Sequence, residues 1–251
     1  MFTTNHFIWM GICVVFITAL LFISLKFKFD KKKAILIMVV IAIMSELLKI
    51  FTHIELEYAA DGSLYRGYVG PQSLPLHLCS IFVFIFIFMF FNKNEKFEKI
   101  IISFFVPIGL FGATLAILMA TSGTNFKAPY AYQCFLYHSG MIYLALYFII
   151  TKQVDLGLKA YARNLIMLFS LAIIMIWVNG ALSVYDTNFF FVCKPPADNL
   201  PILNLNHGWF VYFLSLCICG VVLETVISLP YIIKERKKET TSKLKNTIYY
   251  R

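Results

Sequence analysis

Seven stretches of this chain run for about 17–22 residues with almost no charge. Each is long enough to cross about 30 Å of hydrocarbon as a helix. They lie near 7–25, 34–52, 75–91, 100–120, 131–150, 164–185 and 208–229. The expected fold is all-α: a polytopic membrane bundle of seven transmembrane helices. Residues 1–229 form one domain on this reading, and 230–251 form a basic tail. The longest connections, about 22 residues, are too short for a separate domain. The first run has no positive segment before it and is long for a signal peptide, so it counts as a span.

Composition supports the same class. Of 251 residues, 60% are hydrophobic and 14% charged, against nearly half and about a quarter in a soluble domain. That balance excludes a cytosolic enzyme, a secreted domain, a coiled coil or a disordered chain. The Lys-, Ile- and Phe-rich composition points to a bacterial source. The six cysteines, mostly within apolar runs, do not form a disulfide scaffold. The net charge of +9 comes from short loops and the tail rather than a basic stripe with stacking aromatics, so no nucleic acid is expected as a partner.

The lysines set the orientation. Loops after the first, third and fifth runs, together with the tail, hold eighteen basic residues, from Lys26 to Arg251. The opposite side holds only Arg66, Lys127 and Lys194. The positive-inside rule then puts the N-terminus outside and the C-terminus in the cytoplasm.

Ionisable side chains inside a span cost several kcal/mol and are functional candidates by default. Here they are Glu46, Lys49, His77, His138 and Glu224. Cys79, Cys134 and Asn179 join them as uncharged polar or reactive groups. Glu46, Lys49, Cys79, His138 and Asn179 fall roughly 5–10 Å below the outer helix ends. This shared layer, drawn from four helices, suggests a polar cavity open to the outside. Glu224 sits near the inner end of its run and reads as a snorkelling group or a partner of a cytoplasmic lysine. Glu46 and Lys49 are three apart and can pair, as a neutralised structural pair or as part of a site. Cys134 and His138 share a helix face. His77 and Cys79 lie roughly 200° apart on a regular helix, so only an irregular helix start lets both point into one cavity.

Pro75 suits the first turn of the third helix, which places Cys79 near a helix N-terminus. Such ends favour anions and acidify thiols. The plainer reading of Cys79 is a small buried hydrophobe. Gly112, Ala116 and Ala120 make a close-packing face on the fourth span. Loop 186–207, with Pro195, Pro196 and Pro201, reads as a semi-rigid outer cover.

Ser73-Leu74-Pro75-Leu76-His77-Leu78-Cys79 resembles the YwaF / transmembrane protein 164 family of integral membrane proteins. Tyr137-His138-Ser139-Gly140 and the stretch from Asn188 to Pro195 look like the same family, the latter with Phe189 where Tyr is usual. The resemblance covers roughly residues 40–230. It implies a seven-helix membrane fold. For the family's animal branch it implies acyl transfer onto lysophospholipid through the cysteine of this motif, here Cys79, with His138 as the matching histidine.

The expected chemistry is a Cys-His acyltransferase or transacylase working on membrane phospholipids at the outer face of the plasma membrane. His138 takes the Cys79 proton, and the thiolate forms an acyl-thioester. Asn179 or the free N–H groups of the third helix hold the oxyanion. His77, Glu46 and Lys49 support the site. No cofactor is needed, and no motif with metal-ligand spacing is present.

Two rivals remain. One is a small-solute transporter or substrate-binding subunit using Glu46 and Lys49. The other is a redox pair of Cys79 with Cys134 or Cys193. A retinal-binding protein fails, because 208–229 contains no lysine.

Overall fold

The computed structural model describes residues 2–120, 123–197 and 200–249, without the side chains of 239 and 242–249. The side chains of Lys243 and Lys245, and all of Arg251, therefore lie outside it. Among the described residues there are seven α-helices: α1 Thr4–Lys26, α2 Lys31–His53, α3 Leu78–Phe91, α4 Glu95–Met119, α5 Pro129–Ile150, α6 Leu158–Ala181 and α7 Trp209–Tyr249. Six are long and apolar enough to cross a membrane. α7 continues past Pro230 and carries much of the basic tail as helix.

α3 is the exception. Its 14 residues span about 21 Å, short of the hydrocarbon thickness. The expected helix start at Pro75 is corrected to Leu78. A proline disfavours helical backbone in the residue before it, and Leu74 is accordingly extended, with ψ at 145°. The turn Pro71–Ser73 and the extended N-cap His77 take up the rest of the approach. At its other end α3 is closed from outside. The Lys32 ammonium donates to the carbonyls of Met89, Phe90 and Asn92 at 2.7, 3.1 and 2.7 Å. A cation there satisfies carbonyls that have no partner within the helix.

Other helix starts use side-chain caps. Thr3, Asp30 and Asn94 accept from the first-turn amides of α1, α2 and α4, each replacing a bond the helix cannot make for itself.

α5 is the hub, packed against α1, α2 and α4. Its small residues permit close approach. A Cβ on Gly140 would stand 3.0 Å from the Met38 sulfur on α2. On α4 the close face differs from the expected one. Gly109, whose Cβ would stand 3.4 Å from Ala145 on α5, and the buried Ala113 and Ile117 meet the hub. Gly112 turns away from α5, to the side of a cavity described below. Buried Phe82, Phe86, Phe105 and Phe148 fill the core between α3, α4 and α5.

The α2–α3 connection holds an antiparallel hairpin. β1 Ile54–Tyr58 pairs with β2 Leu64–Val69. The turn passes through Asp61 and Gly62, where φ of +80° favours glycine. The hairpin marks one end of the bundle, and the lysine-rich connections mark the other.

Candidate functional site

At the hairpin end, α2, α3 and α5 bring together most of the polar residues singled out above. Glu46 and Lys49 form the expected pair, with the ammonium 2.7 and 2.9 Å from the two carboxylate oxygens. Both side chains are mostly buried, at 18% and 14% exposure.

Cys79 is the second residue of α3, and its thiol is partly exposed. No side chain caps this helix. The first amide to bond back is that of Ile81, to the His77 carbonyl at 2.9 Å. The N–H groups of Leu78, Cys79 and Ser80 come before that bond. The positive end of α3 is therefore uncapped at the thiol, which favours an anion there.

His138, 8% exposed, rises from α5. Its Nδ1 lies 2.7 Å from the Cys134 carbonyl and 3.7 Å from the Cys134 sulfur. A carbonyl only accepts, so in the neutral ring Nδ1 carries the proton and Nε2 keeps its lone pair. Cys79 is the other thiol within reach of this ring. A histidine whose distal nitrogen is pinned as a donor is arranged as a base.

Tyr137, the residue beside His138, donates from its phenol to the Cys79 carbonyl at 2.6 Å. The sequence reading gave it no role. The signal was present, since Tyr137 opens the Tyr-His-Ser-Gly stretch.

The irregular helix start removes the 200° conflict between His77 and Cys79, because His77 stands before the helix with ψ at 150°. Its ring packs against Phe189 and Phe191 at 5.3 and 5.4 Å between centroids. These phenylalanines belong to the connection before α7, which packs against this end of the bundle. Tyr212 donates to the Phe191 carbonyl, and Trp209 donates to the Val192 carbonyl at 2.8 Å.

Asn179 is placed elsewhere. Its Nδ2 donates to the carbonyls of Met175 and Phe189 at 2.8 and 3.0 Å, and its Oδ1 accepts from the Phe189 amide at 2.8 Å. It fixes the cover from α6, with both ends of the amide engaged. Glu224 is a correction. It does not snorkel or meet a lysine. It is buried at 5% exposure, and its Oε1 accepts from Asn164 at 2.8 Å and Ser228 at 3.4 Å. The α6 face opposite is polar at Asn164, which draws the carboxyl inward.

All six cysteines are free thiols. Among the described residues no group of three or more His, Cys, Asp or Glu could hold a metal ion. The arrangement is suited to nucleophilic chemistry: a thiol at an open helix end, a fixed histidine beside it, and a phenol holding the helix start.

No curated protein and no solved structure matches the chain. The sequence model of the TMEM164 family matches residues 1–228, nearly the whole bundle, and the chain therefore belongs to the TMEM164 family.

Proposed function

We propose that this multi-pass membrane protein is a cysteine-dependent phospholipid transacylase. The observation that carries this reading is the Cys79 thiol beside His138, whose Nδ1 is committed to the Cys134 carbonyl. His138 Nε2 accepts the thiol proton. The thiolate then attacks the carbonyl carbon of a lipid ester and forms a C–S bond. The bond from that carbon to the glycerol oxygen breaks, and the leaving oxygen takes the proton from His138. A lysophospholipid leaves, and the acyl group stays on Cys79 as a thioester. A second lysophospholipid hydroxyl, or water, then gives its proton to His138 and displaces the thiolate.

The N–H groups at the start of α3 are the donors best placed for the oxyanion. Asn179 supports the cover rather than the reacting atoms. His77, Glu46 and Lys49 shape the charge around the thiol.

The lysine distribution supports a plasma-membrane topology with the hairpin end outside. Acyl-coenzyme A is absent there, so a phospholipid serves as donor. A solute-binding role for Glu46 and Lys49 has less support, because the two charges satisfy each other.

The test is transfer in vesicles. Purified protein is given a phospholipid with a labelled acyl chain and an unlabelled lysophospholipid. Label on the acceptor with wild type and none with Cys79→Ser supports the reading. Equal transfer by both proteins, or loss with Glu46→Gln but not with Cys79→Ser, overturns it.

A further inference from the structure

A partly open slot runs along the bundle between α4, α6 and α7. It holds about 240 Å³. Leu78, the residue before Cys79, lines it together with Phe190 and Val192 of the cover. At the other end lie Leu168 and Glu224. Along α7 the lining runs from Phe213 to Glu224, eleven helical steps or roughly 16 Å of helix axis. The slot therefore extends along the helices, from the neighbourhood of Cys79 toward the lysine end.

Its walls are almost wholly apolar. Small residues keep it open: Gly112 on α4, Ala172 on α6 and Gly220 on α7. Glu224 is the one charged residue in the lining. It is held on Oε1 by Asn164 and Ser228, from two helices, so it is a fixed polar floor rather than a loose side chain.

We infer that this slot receives one acyl chain of a bilayer phospholipid, with its ester at the Leu78 end and its methyl end toward Glu224. The inference rests on the transacylase reading of Cys79. An apolar chain gains free energy on leaving water, but almost nothing on moving from lipid into an equally apolar slot. The slot therefore positions the chain more than it attracts it. A chain aligned along α7 brings its ester to the start of α3. The polar floor sets a length limit, because methylenes pushed against a carboxyl gain no apolar contact.

Gly112→Leu is the cleanest probe. A Cβ added there meets only Ile108, at an ordinary 3.7 Å, so the added side chain fills the slot without forcing the backbone. Ala172→Leu fills it from α6 and guards against a folding failure of the first variant.

The experiment uses the full chain with Cys79→Ala, in vesicles with a phospholipid carrying a diazirine at the end of one chain. Illumination and peptide mapping then report where the chain end lies, with no acyl transfer involved. Adducts are expected in 216–224 and 168–172, falling at least fivefold with Gly112→Leu or Ala172→Leu. Adducts confined to outward-facing residues such as Trp177 and Val226, unchanged by either variant, overturn the slot. A labelled slot with a Cys79 that never carries acyl in wild type leaves the slot standing and removes the transacylase. Acylated Cys79 with an unlabelled slot does the reverse.

Discussion

The Tyr137 phenol donates a 2.6 Å hydrogen bond to the backbone carbonyl of Cys79. α3 starts without a side-chain cap, and this bond ties its first turn to α5. Because His138 is the next residue, one helix supplies both the group that holds Cys79 in place and, on the transacylase proposal, the group that takes its proton. Tyr137→Phe removes one neutral hydrogen bond, worth about 1 kcal/mol. If that bond acts on the reacting geometry, the rate of acyl labelling falls about fivefold. Folding is expected to survive, as measured by thermal melting in detergent. An unchanged labelling rate would place the bond outside the reaction.

Alkylation of Cys79 reads the role of His138 without any lipid. A base within reach of a thiol speeds its attack on an electrophile. The rate of iodoacetamide labelling of Cys79 is therefore expected to fall in His138→Ala and to stay unchanged in His77→Ala. The opposite pattern would transfer the base to His77.

Glu46 and Lys49 neutralise each other in a mostly buried setting. Removing one partner leaves an unpaired charge, and Glu46→Gln or Lys49→Met alone is expected to destabilise by about 3 kcal/mol. Replacing both together should cost clearly less, the signature of a coupled pair. Chemical denaturation of the two single variants and the double variant measures this. Full additivity would show that the charges act separately.

The hairpin gives a pH prediction outside the membrane. Arg66 donates to Glu57 at 2.7 and 3.2 Å and holds its carboxyl below the ordinary value of 4.5. A depressed carboxyl contributes to stability above its unfolded pKa and loses that contribution as the pH falls through the lower folded value. Amide protection of 54–69 is therefore expected to hold steady near neutrality and to weaken only below about pH 4.5. In Arg66→Ala this step should disappear. Both strands are exposed, and the pair is screened by solvent, so the step is small.

The membrane spans were legible in the sequence because lipid tolerates little but apolar runs, and the helix period then placed Glu46 on the same face as Lys49, and Cys134 on the same face as His138. The start of α3 was less legible. Pro75 fits either a first helical turn or the end of an extended approach, and the choice depends on Phe189 and Phe191 packing against His77 from more than a hundred residues away. Glu224 was misread for a similar reason. Snorkelling is the usual course for an acid near a helix end, but a buried Asn164 on the facing helix outweighed it. Tyr137 was marked only as the first residue of the Tyr-His-Ser-Gly stretch, and its bond to a backbone carbonyl is a contact that only the fold reveals. The hairpin did carry a signal, Asp61-Gly62 between two alternating stretches.

The central claim is that Cys79 carries an acyl group during turnover. The most direct measurement places purified protein in vesicles with an alkyne-tagged phospholipid and compares wild type with Cys79→Ala. The account predicts tagged acyl on wild type alone, removed by hydroxylamine as a thioester is. No label on either protein, across several headgroups and with folding verified by thermal melting, would contradict it and shift attention to Glu46 and Lys49 as solute ligands.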